Sequence, residues 1–243
     1  MAYQSRRPPG RPPARASLTS GDVARAALIT VERDGLDGLS MRRVADHLGV
    51  QAASLYWHVQ SKEHLLDLMA EELFAILELP SLPAGGDWRT GLRDLATAYY
   101  QFLLSHRDAA RIVAGRFALG IHFLHHLETF ADLLKHGGFS DTDTAYALYA
   151  VIVYIQGFVL HQTSPLSGDS ANGTANTDVL AGIRSQLMEL PPDRFPATMA
   201  LAESLTRPDI RRRFTFGLDL LLDGLDALSA RRPRSPIAGE SPP

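Results

Sequence analysis

The stretch Ser40-Met41-Arg42-Arg43-Val44-Ala45-Asp46-His47-Leu48-Gly49-Val50-Gln51-Ala52-Ala53-Ser54-Leu55-Tyr56-Trp57-His58 decides the fold of this chain. Ser40 has the side chain to cap a short helix carrying Val44, Ala45 and Leu48, and Gly49 supplies the backbone freedom to end it abruptly. A further short helix is expected over about residues 51–58. The small Ala45 lets a neighbouring helix cross closely, while Leu48, Val50 and Leu55 are the apolar points by which the pair packs onto the rest. Two short helices joined by a tight turn form a helix-turn-helix. Its exposed set is Ser54, Tyr56, Trp57, His58 and Lys62, carried on a helix too short to bury every face. Tyr56 has two readings at this point: packed beneath the following helix, or facing outward with its hydroxyl in use.

Working outward, Thr19-Ser20-Gly21-Asp22 has the spacing of a capping box ahead of Val23, Ala26, Ala27, Leu28 and Val31, so a first helix should run to about Asp34-Gly35. Ser61 caps a fourth helix, on which Leu65, Leu66, Met69, Leu73, Phe74 and Leu77 recur at helical spacing until Pro80. A connector with two prolines and two glycines spans 79–87. Beyond it the periods are again helical, at about 88–105, 107–115, 122–136, 141–163, 192–205 and 208–229. Ser140-Asp141-Thr142-Asp143 has the capping-box spacing before the most apolar of these, and a Ser/Gly/Asn/Thr-rich loop is expected over 163–178. With no strand-like alternation, the fold class is all-α: a three-helix helix-turn-helix domain plus a larger helical domain. The expected division is a basic arm at 1–16, the helix-turn-helix domain at 17–62, the helical domain at 63–230 and a Pro/Ser/Arg tail at 231–243.

Charge sharpens this division. The 243 residues carry a net −3, yet residues 1–62 alone carry +4 and the remaining 181 carry −7. A basic N-terminal quarter joined to an acidic remainder is the asymmetry of a nucleic-acid reader attached to a separate module. Cysteine is absent, which excludes disulfides, thiolate metal sites and cysteine nucleophiles. No run approaches the roughly 18 uninterrupted apolar residues of a spanning helix, and the N-terminus lacks an apolar leader segment, so a cytoplasmic protein without a membrane partner is expected.

Leu55-Tyr56-Trp57-His58-Val59 with Lys62, preceded by Gly49-Val50 and followed by Leu65-Leu66-Asp67, resembles the TetR family of transcriptional repressors, and within it the tetracycline-repressor type. The likeness continues in Leu103-Leu104-Ser105-His106-Arg107-Asp108-Ala109, in Gly138-Phe139-Ser140, in Tyr146-Ala147-Leu148 and in Phe216-Gly217-Leu218-Asp219-Leu220, covering about residues 19–229. The resemblance implies a homodimeric repressor of double-stranded operator DNA, released by a small molecule, and not an enzyme. It implies DNA contacts at Arg42, Ser54, Tyr56, Trp57, His58 and Lys62. Lys62, Tyr56 and His58 address phosphates, and Arg42 offers a guanidinium fork to guanine. Arg43, Ala52 and Ala53 complete the DNA-facing set. Met41, Ala52 and Ala53 depart from the polar or proline residues usual there, which implies a different operator. Arg11, within Arg7-Pro8-Pro9-Gly10-Arg11-Pro12-Pro13, resembles the Gly-Arg-Pro core of minor-groove AT-hooks; the alternative is a solvated leader.

For the effector, the resemblance points to Tyr99, Phe102, Val113, Phe117, Phe130, Tyr154, Phe158 and His161 as ligand-binding candidates. Val113 stands at the magnesium-binding histidine of the tetracycline type and His161 at its glutamate helper, while Leu95 and Tyr99 replace drug contacts. An apolar or aromatic effector other than magnesium–tetracycline is therefore expected, with no cofactor and no metal. The helix at 141–163, with apolar residues on more than one face, is expected to pair with the last helix across a dimer, the alternative being a purely internal core. The helix at 62–79 is expected to be the only continuous mechanical link between effector site and reader. His122, His125 and His126 share a helical face, open either to a late transition metal or to solvent. No serine-hydrolase elbow, P-loop or dinucleotide fingerprint occurs; a hydrolase or metal enzyme assembled from the acidic domain is the alternative from another class.

Overall fold

The computed structural model describes residues 18–82, 85–116, 119–164 and 177–230. The arm at 1–16, Arg11, Phe117, most of the expected 163–178 loop and the tail at 231–243 lie outside them. Among the described residues the chain forms eleven α-helices and no strand. They are α1 (Ser20–Asp34), α2 (Met41–Leu48), α3 (Ala52–Leu55), α4 (Lys62–Ile76), α5 (Trp88–Ser105), α6 (Ala109–Val113), α7 (Ile121–His136), α8 (Asp141–Gln162), α9 (Thr177–Met188), α10 (Pro196–Leu205) and α11 (Ile210–Ala230). A 3-10 turn at Leu36–Gly38 joins α1 to α2.

Local chemistry starts the helices where the sequence indicates. The Thr19 hydroxyl accepts from the Asp22 amide at 3.1 Å while the Asp22 carboxylate accepts from the Thr19 amide at 2.9 Å, a complete capping box. Ser40, Ser61 and Ser140 likewise cap α2, α4 and α8. Gly49 ends α2 in the left-handed conformation (φ 65°), which a residue with a Cβ adopts only at a cost of about 1–2 kcal/mol.

Helix α4 packs on α1 along one side and on α6 and α7 along another, so the reader and the larger helical body share one apolar core. That core runs from Val23 and Val44 through Met69 and Leu73 to Leu95, Ile155 and Leu222, all nearly or fully buried. Helix α5 lies against α7, α8 and α11, and α9 packs on α10. Ion pairs Arg89–Asp223 and Arg93–Asp219, the latter at 2.6 Å, join α5 to α11. By length and composition α8 is apolar enough to cross a bilayer, with a mean hydropathy of 1.4. In this fold its Leu148, Val151, Ile155 and Val159 fill the core instead.

Several boundaries differ from the sequence expectation, each for a visible reason. The third helix, expected to reach His58, is a single turn ending at Leu55, because buried Leu55 and Val59 pull the chain back into the core. Helix α4 stops at Ile76, and Leu77 turns extended as the chain approaches Pro80. Helix α6 starts only at Ala109, since Asp108 sits at φ 58°. Helix α9 occupies residues not assigned to any helix from the sequence, although Val179, Leu180, Ile183 and Leu187 have helical spacing. Helix α10 begins at Pro196 rather than 192, since proline suits the first helical position.

The capping box has a pH signature. Hydrogen bonds from the Thr19 hydroxyl and amide, then the Arg25 guanidinium, hold the Asp22 pKa down to about 2. A carboxylate depressed in the folded state contributes stability above its unfolded pKa of roughly 4, and that contribution disappears as pH falls through about 2. Urea midpoints of the wild type and Asp22→Asn should therefore differ by a constant amount above pH 4 and converge between pH 4 and 2. A difference that persists unchanged at pH 2 would assign the effect to packing rather than to the carboxylate.

Candidate nucleic-acid interface and effector cleft

The reader surface is built on one fixed point, the fully buried Leu55, whose carbonyl accepts from the amides of His58 and Val59, both at 2.9 Å. This tight return leaves Tyr56 and Trp57 pointing out. Trp57 is 89% exposed and Tyr56 57% exposed, so the packed reading of Tyr56 does not hold. The Ser20 hydroxyl donates to the His58 carbonyl at 3.2 Å, fixing the return against α1. Ala53, Ser54 and Lys62 are exposed beside the two rings, His58 is half-buried, and Ala52 is half-buried against the core. Arg42 is exposed on the first turn of α2. Arg43 folds back instead: its Nη1 donates to Asp34 at 3.2 Å and to the Gly38 carbonyl at 3.1 Å, bracing α2 against α1. An exposed tryptophan and tyrosine beside a hydroxyl, an imidazole and two cations can press a ring against sugar or base while charges meet phosphate.

Two connections tie this reader to the larger body. The first is α4 itself. Its Glu72 pairs with Arg25 of α1 at 3.0 Å, its Asp67 with Arg116 at 2.9 Å, and its Glu71 caps α7 by accepting from the His122 and Phe123 amides at 2.7 and 3.3 Å. Gly120 leaves room for that cap, since a side chain there would displace the Glu71 carboxylate. The second connection is the turn between α5 and α6, which corrects the expectation that α4 is the only link. Arg107 donates to the Glu32 and Arg33 carbonyls at 3.2 and 2.9 Å, satisfying the open end of α1. Asp108 accepts from the Leu36 amide at 2.7 Å, and Arg111 bridges Asp37 and Asp108 at 2.7 and 3.0 Å.

The residues expected to bind the effector fall into separate places. Tyr99, Val113 and Phe130 are buried in the core, and burial pushes the Tyr99 phenol up to about 12 although Gln156 donates to its oxygen at 3.1 Å. Tyr154 and Phe158 join Tyr100 and Phe214 in a second aromatic cluster, in which Tyr100 stacks on Phe214 with centroids 3.8 Å apart. Phe102 leans on His106, and His161 is exposed. None of them lines the cleft beside α7. That cleft, of about 460 Å³, lies between the end of α4, the non-helical segment 77–82 and α7. His122, His125, His126 and Thr129 line one wall, with Phe74, Leu77 and Leu79 among the residues opposite. The spacing of the histidines was visible in the sequence, but not the early stop of α4 that folds the connector over them. Among the described residues no three His, Asp or Glu side chains group to hold a metal ion.

Comparison with known proteins fits this arrangement of reader, connecting helix and helical body. Residues 18–69 match the model of bacterial regulatory proteins of the tetR family, and residues 79–229 match the tetracyclin repressor-like C-terminal domain. The chain belongs to the TetR family. It is 30% identical to the HTH-type transcriptional repressor DrrR1 of Streptomyces coeruleorubidus, over 100% of this chain and 88% of that protein. It is 35% identical to the class A tetracycline repressor of Escherichia coli, over 86% of this chain and 90% of the other. Among solved structures, ActR of Streptomyces coelicolor in complex with actinorhodin superposes with a TM-score of 0.80 at 31% identity, covering 89% of this chain and all of that one. BioQ bound to its double-stranded operator matches with a TM-score of 0.58 at 27% identity, covering 87% and 99% of the two chains. This TetR-family protein is a ligand-responsive, DNA-binding transcriptional repressor that acts as a dimer, and not an enzyme.

The second connection is testable at one amide. Asp108→Gly removes the acceptor for the Leu36 N–H while keeping a backbone at ease at φ 58°. Leu36 amide hydrogen exchange should accelerate about tenfold, a local loss of about 1.4 kcal/mol, with Leu103 of α5 unchanged. Equal acceleration at both sites would indicate general destabilisation instead.

Proposed function

We propose that two copies of this chain grip a two-fold symmetric operator with the surface formed by Arg42, Ala53, Ser54, Tyr56, Trp57, His58 and Lys62, and that a small aromatic molecule bound in the helical domain releases them. The observation that carries this reading is the exposure of Trp57 and Tyr56 at the end of a helix-turn-helix. Large aromatic side chains are normally hidden, and here the buried Leu55 holds them out beside Lys62. Ala52 and Ala53 offer only methyl contacts, which suits thymine. Arg43 contributes to the surface mainly through the brace it makes with Asp34. Arg11, within the basic arm, adds a minor-groove contact in this reading.

Dimerisation is supported by the exposed apolar side chains Tyr146, Tyr149 and Val153 on α8 and Phe216 and Leu220 on α11. Other residues of these two helices fill the internal core, so each is apolar on two sides, as a helix shared between two cores must be. A hollow of about 230 Å³ between Ala150, Val151, Leu220, Leu221, Gly224 and Leu225 gives a copy of the same face somewhere to seat side chains. Pairing these helices as an intersubunit four-helix bundle sets the two readers about one helical turn apart, roughly 34–36 Å, and makes the operator palindromic.

The division at residue 62 is supported by α4 starting there and serving both bodies. Cytoplasmic localisation follows from access to DNA. The effector differs from magnesium–tetracycline because Val113 offers no metal ligand and is buried. ActR, whose structure holds actinorhodin, supports an aromatic ligand for this chain as well.

Selection of genomic fragments by the purified protein, followed by anisotropy titration of the recovered site, tests the reading. Trp57→Ala should weaken specific binding at least tenfold, while Lys62→Ala should weaken specific and non-specific DNA alike and lower the salt slope by about one per subunit. Recovery of no preferred sequence would overturn it. Leu220→Asp, at a 57% exposed position, should give a folded monomer by light scattering that no longer holds the palindrome; an intact dimer would move the interface elsewhere.

A further inference from the structure

We propose that Gln51 reads one adenine in each half of the operator through its side-chain carboxamide, and so fixes a base that the rest of the DNA-facing surface leaves open. The inference rests on the operator reading given above and adds to it a specificity-determining residue, with the base it selects.

The first argument is a missing cap. Gln51 opens α3 as its N-cap, with extended backbone (φ −77°, ψ 139°) and no hydrogen bond from its side chain to the helix. The neighbouring helices α1, α2 and α4 each open on a hydroxyl that accepts from the third amide of the helix: Thr19 from Asp22, Ser40 from Arg43 and Ser61 from His64. Ser, Thr, Asp and Asn cap in this way because their oxygen lies close to the backbone, and glutamine carries its own one methylene further out than asparagine. In α3 the Ser54 amide donates to the Gln51 carbonyl instead, at 2.9 Å. The carboxamide is left exposed and makes no hydrogen bond among the described residues. Capping is thus given up at the second helix of the helix-turn-helix, the one whose first residues meet base edges in the major groove.

The surroundings of Gln51 suit a direct contact. Ala53 and Ser54 are exposed and short, and Ala52 is half-buried against the core, so the backbone of α3 can approach the groove floor closely. Gln51 is the only long hydrogen-bonding side chain between Val50 and Leu55. Its backbone is fixed on both sides. The Val50 amide donates to the Ala45 carbonyl at 3.0 Å, and the fully buried Leu55 anchors the other end of the turn. The side chain therefore extends from a rigid base, with no internal hydrogen bond to break before it meets DNA.

The chemistry of the carboxamide selects the base. It carries an acceptor oxygen and N–H donors in one plane. Adenine alone offers the complement on its major-groove edge, an N6 donor beside the N7 acceptor. Guanine offers two acceptors, so the carboxamide oxygen would face O6 unpaired, and cytosine and thymine each offer a single partner. A wrong base leaves one group unsatisfied where water has been displaced, which is costlier than a contact merely absent. The exposed Arg42 guanidinium only donates and is fitted to guanine, so the two side chains divide the purines between them.

The test uses the full-length protein and the operator recovered by genomic selection. Each base pair is replaced symmetrically in both half-sites by the other three, and anisotropy gives affinities for the wild type and Gln51→Ala. The wild type should require adenine at one position per half-site, each replacement weakening binding at least tenfold. Gln51→Ala should bind all four pairs there within about threefold while keeping its preferences elsewhere. At that position 7-deaza-2′-deoxyadenosine, which lacks the N7 acceptor, should weaken the wild type at least fivefold and leave Gln51→Ala unchanged. Gln51→Glu should move the preference to cytosine, whose N4 donor a carboxylate accepts. Gln51→Ser restores a capping hydroxyl, so it should raise the thermal midpoint by about 2 °C while losing the adenine preference, opposite changes that general destabilisation cannot produce. Wild-type preferences at every position in Gln51→Ala, or an equal loss on all sequences including non-specific DNA, would overturn the proposal. A wild type that prefers no sequence would overturn it together with the operator reading, and the wild-type titration alone tells that outcome from the others.

Discussion

Helix α4 must satisfy two bodies with one cylinder of side chains, and the rest of the structure is arranged around that constraint. Leu65, Met69 and Leu73 are buried to 2% exposure or less, so α4 can neither rotate nor slide without opening the core on one side or the other. Removal of one such side chain costs about 2–5 kcal/mol, a large share of a typical domain's stability. Polar contacts then choose the angle. Glu72 faces α1, Asp67 faces Arg116 and Glu71 faces the start of α7, each satisfied by a partner from a different element. These ion pairs are partly exposed and individually weak, in the range of about 0–1 kcal/mol, so they set a preferred orientation without locking it. The apolar core supplies stability and the polar shell supplies a preferred but reversible orientation.

The clamp at Arg107, Asp108 and Arg111 limits where motion can go. By closing the open carbonyls of α1 and holding the Leu36 amide, it anchors the far end of the reader to the α5–α6 turn. A reader held at both α4 and this turn is tied to the helical body at two places. For a two-fold operator this geometry matters, since a few ångströms in the separation of two recognition surfaces is enough to spoil simultaneous docking. By linkage, an effector that favours the wrong separation must itself bind less well when operator is present.

The separation of charge has a matching logic. The N-terminal quarter carries +4 and the remainder −7, so the potential that attracts phosphate is confined to the end that reads it. Acidic residues of the larger body are spent on internal ties to arginine, as at Asp219 and Asp223.

Much of the fold was legible because its signals are local. Capping residues Thr19, Ser40, Ser61 and Ser140, the left-handed Gly49 and the helical spacing of apolar residues act within a few positions of where they stand. The exposed Trp57 was legible for the same reason, since so short a helix has few faces on which to hide it, whereas Tyr56 had two readings until the return at Leu55 turned it outward. The ligand candidates were legible only as aromatic residues at helical spacing, which look the same whether they fill a core, as Tyr99 does, or line a cavity. The histidines on α7 were visible as a pattern, but that they line a cleft depended on where α4 ends and on the 77–82 segment beside them. The same holds for Arg107 and Asp108, whose partners lie more than 70 residues away. The sequence by itself determined most of the helices, the reader and the sign of each half, because caps, periodicity and charge are short-range properties. Only the tertiary structure decided which cleft exists and how the two bodies are coupled, because those depend on which surfaces distant segments bring face to face.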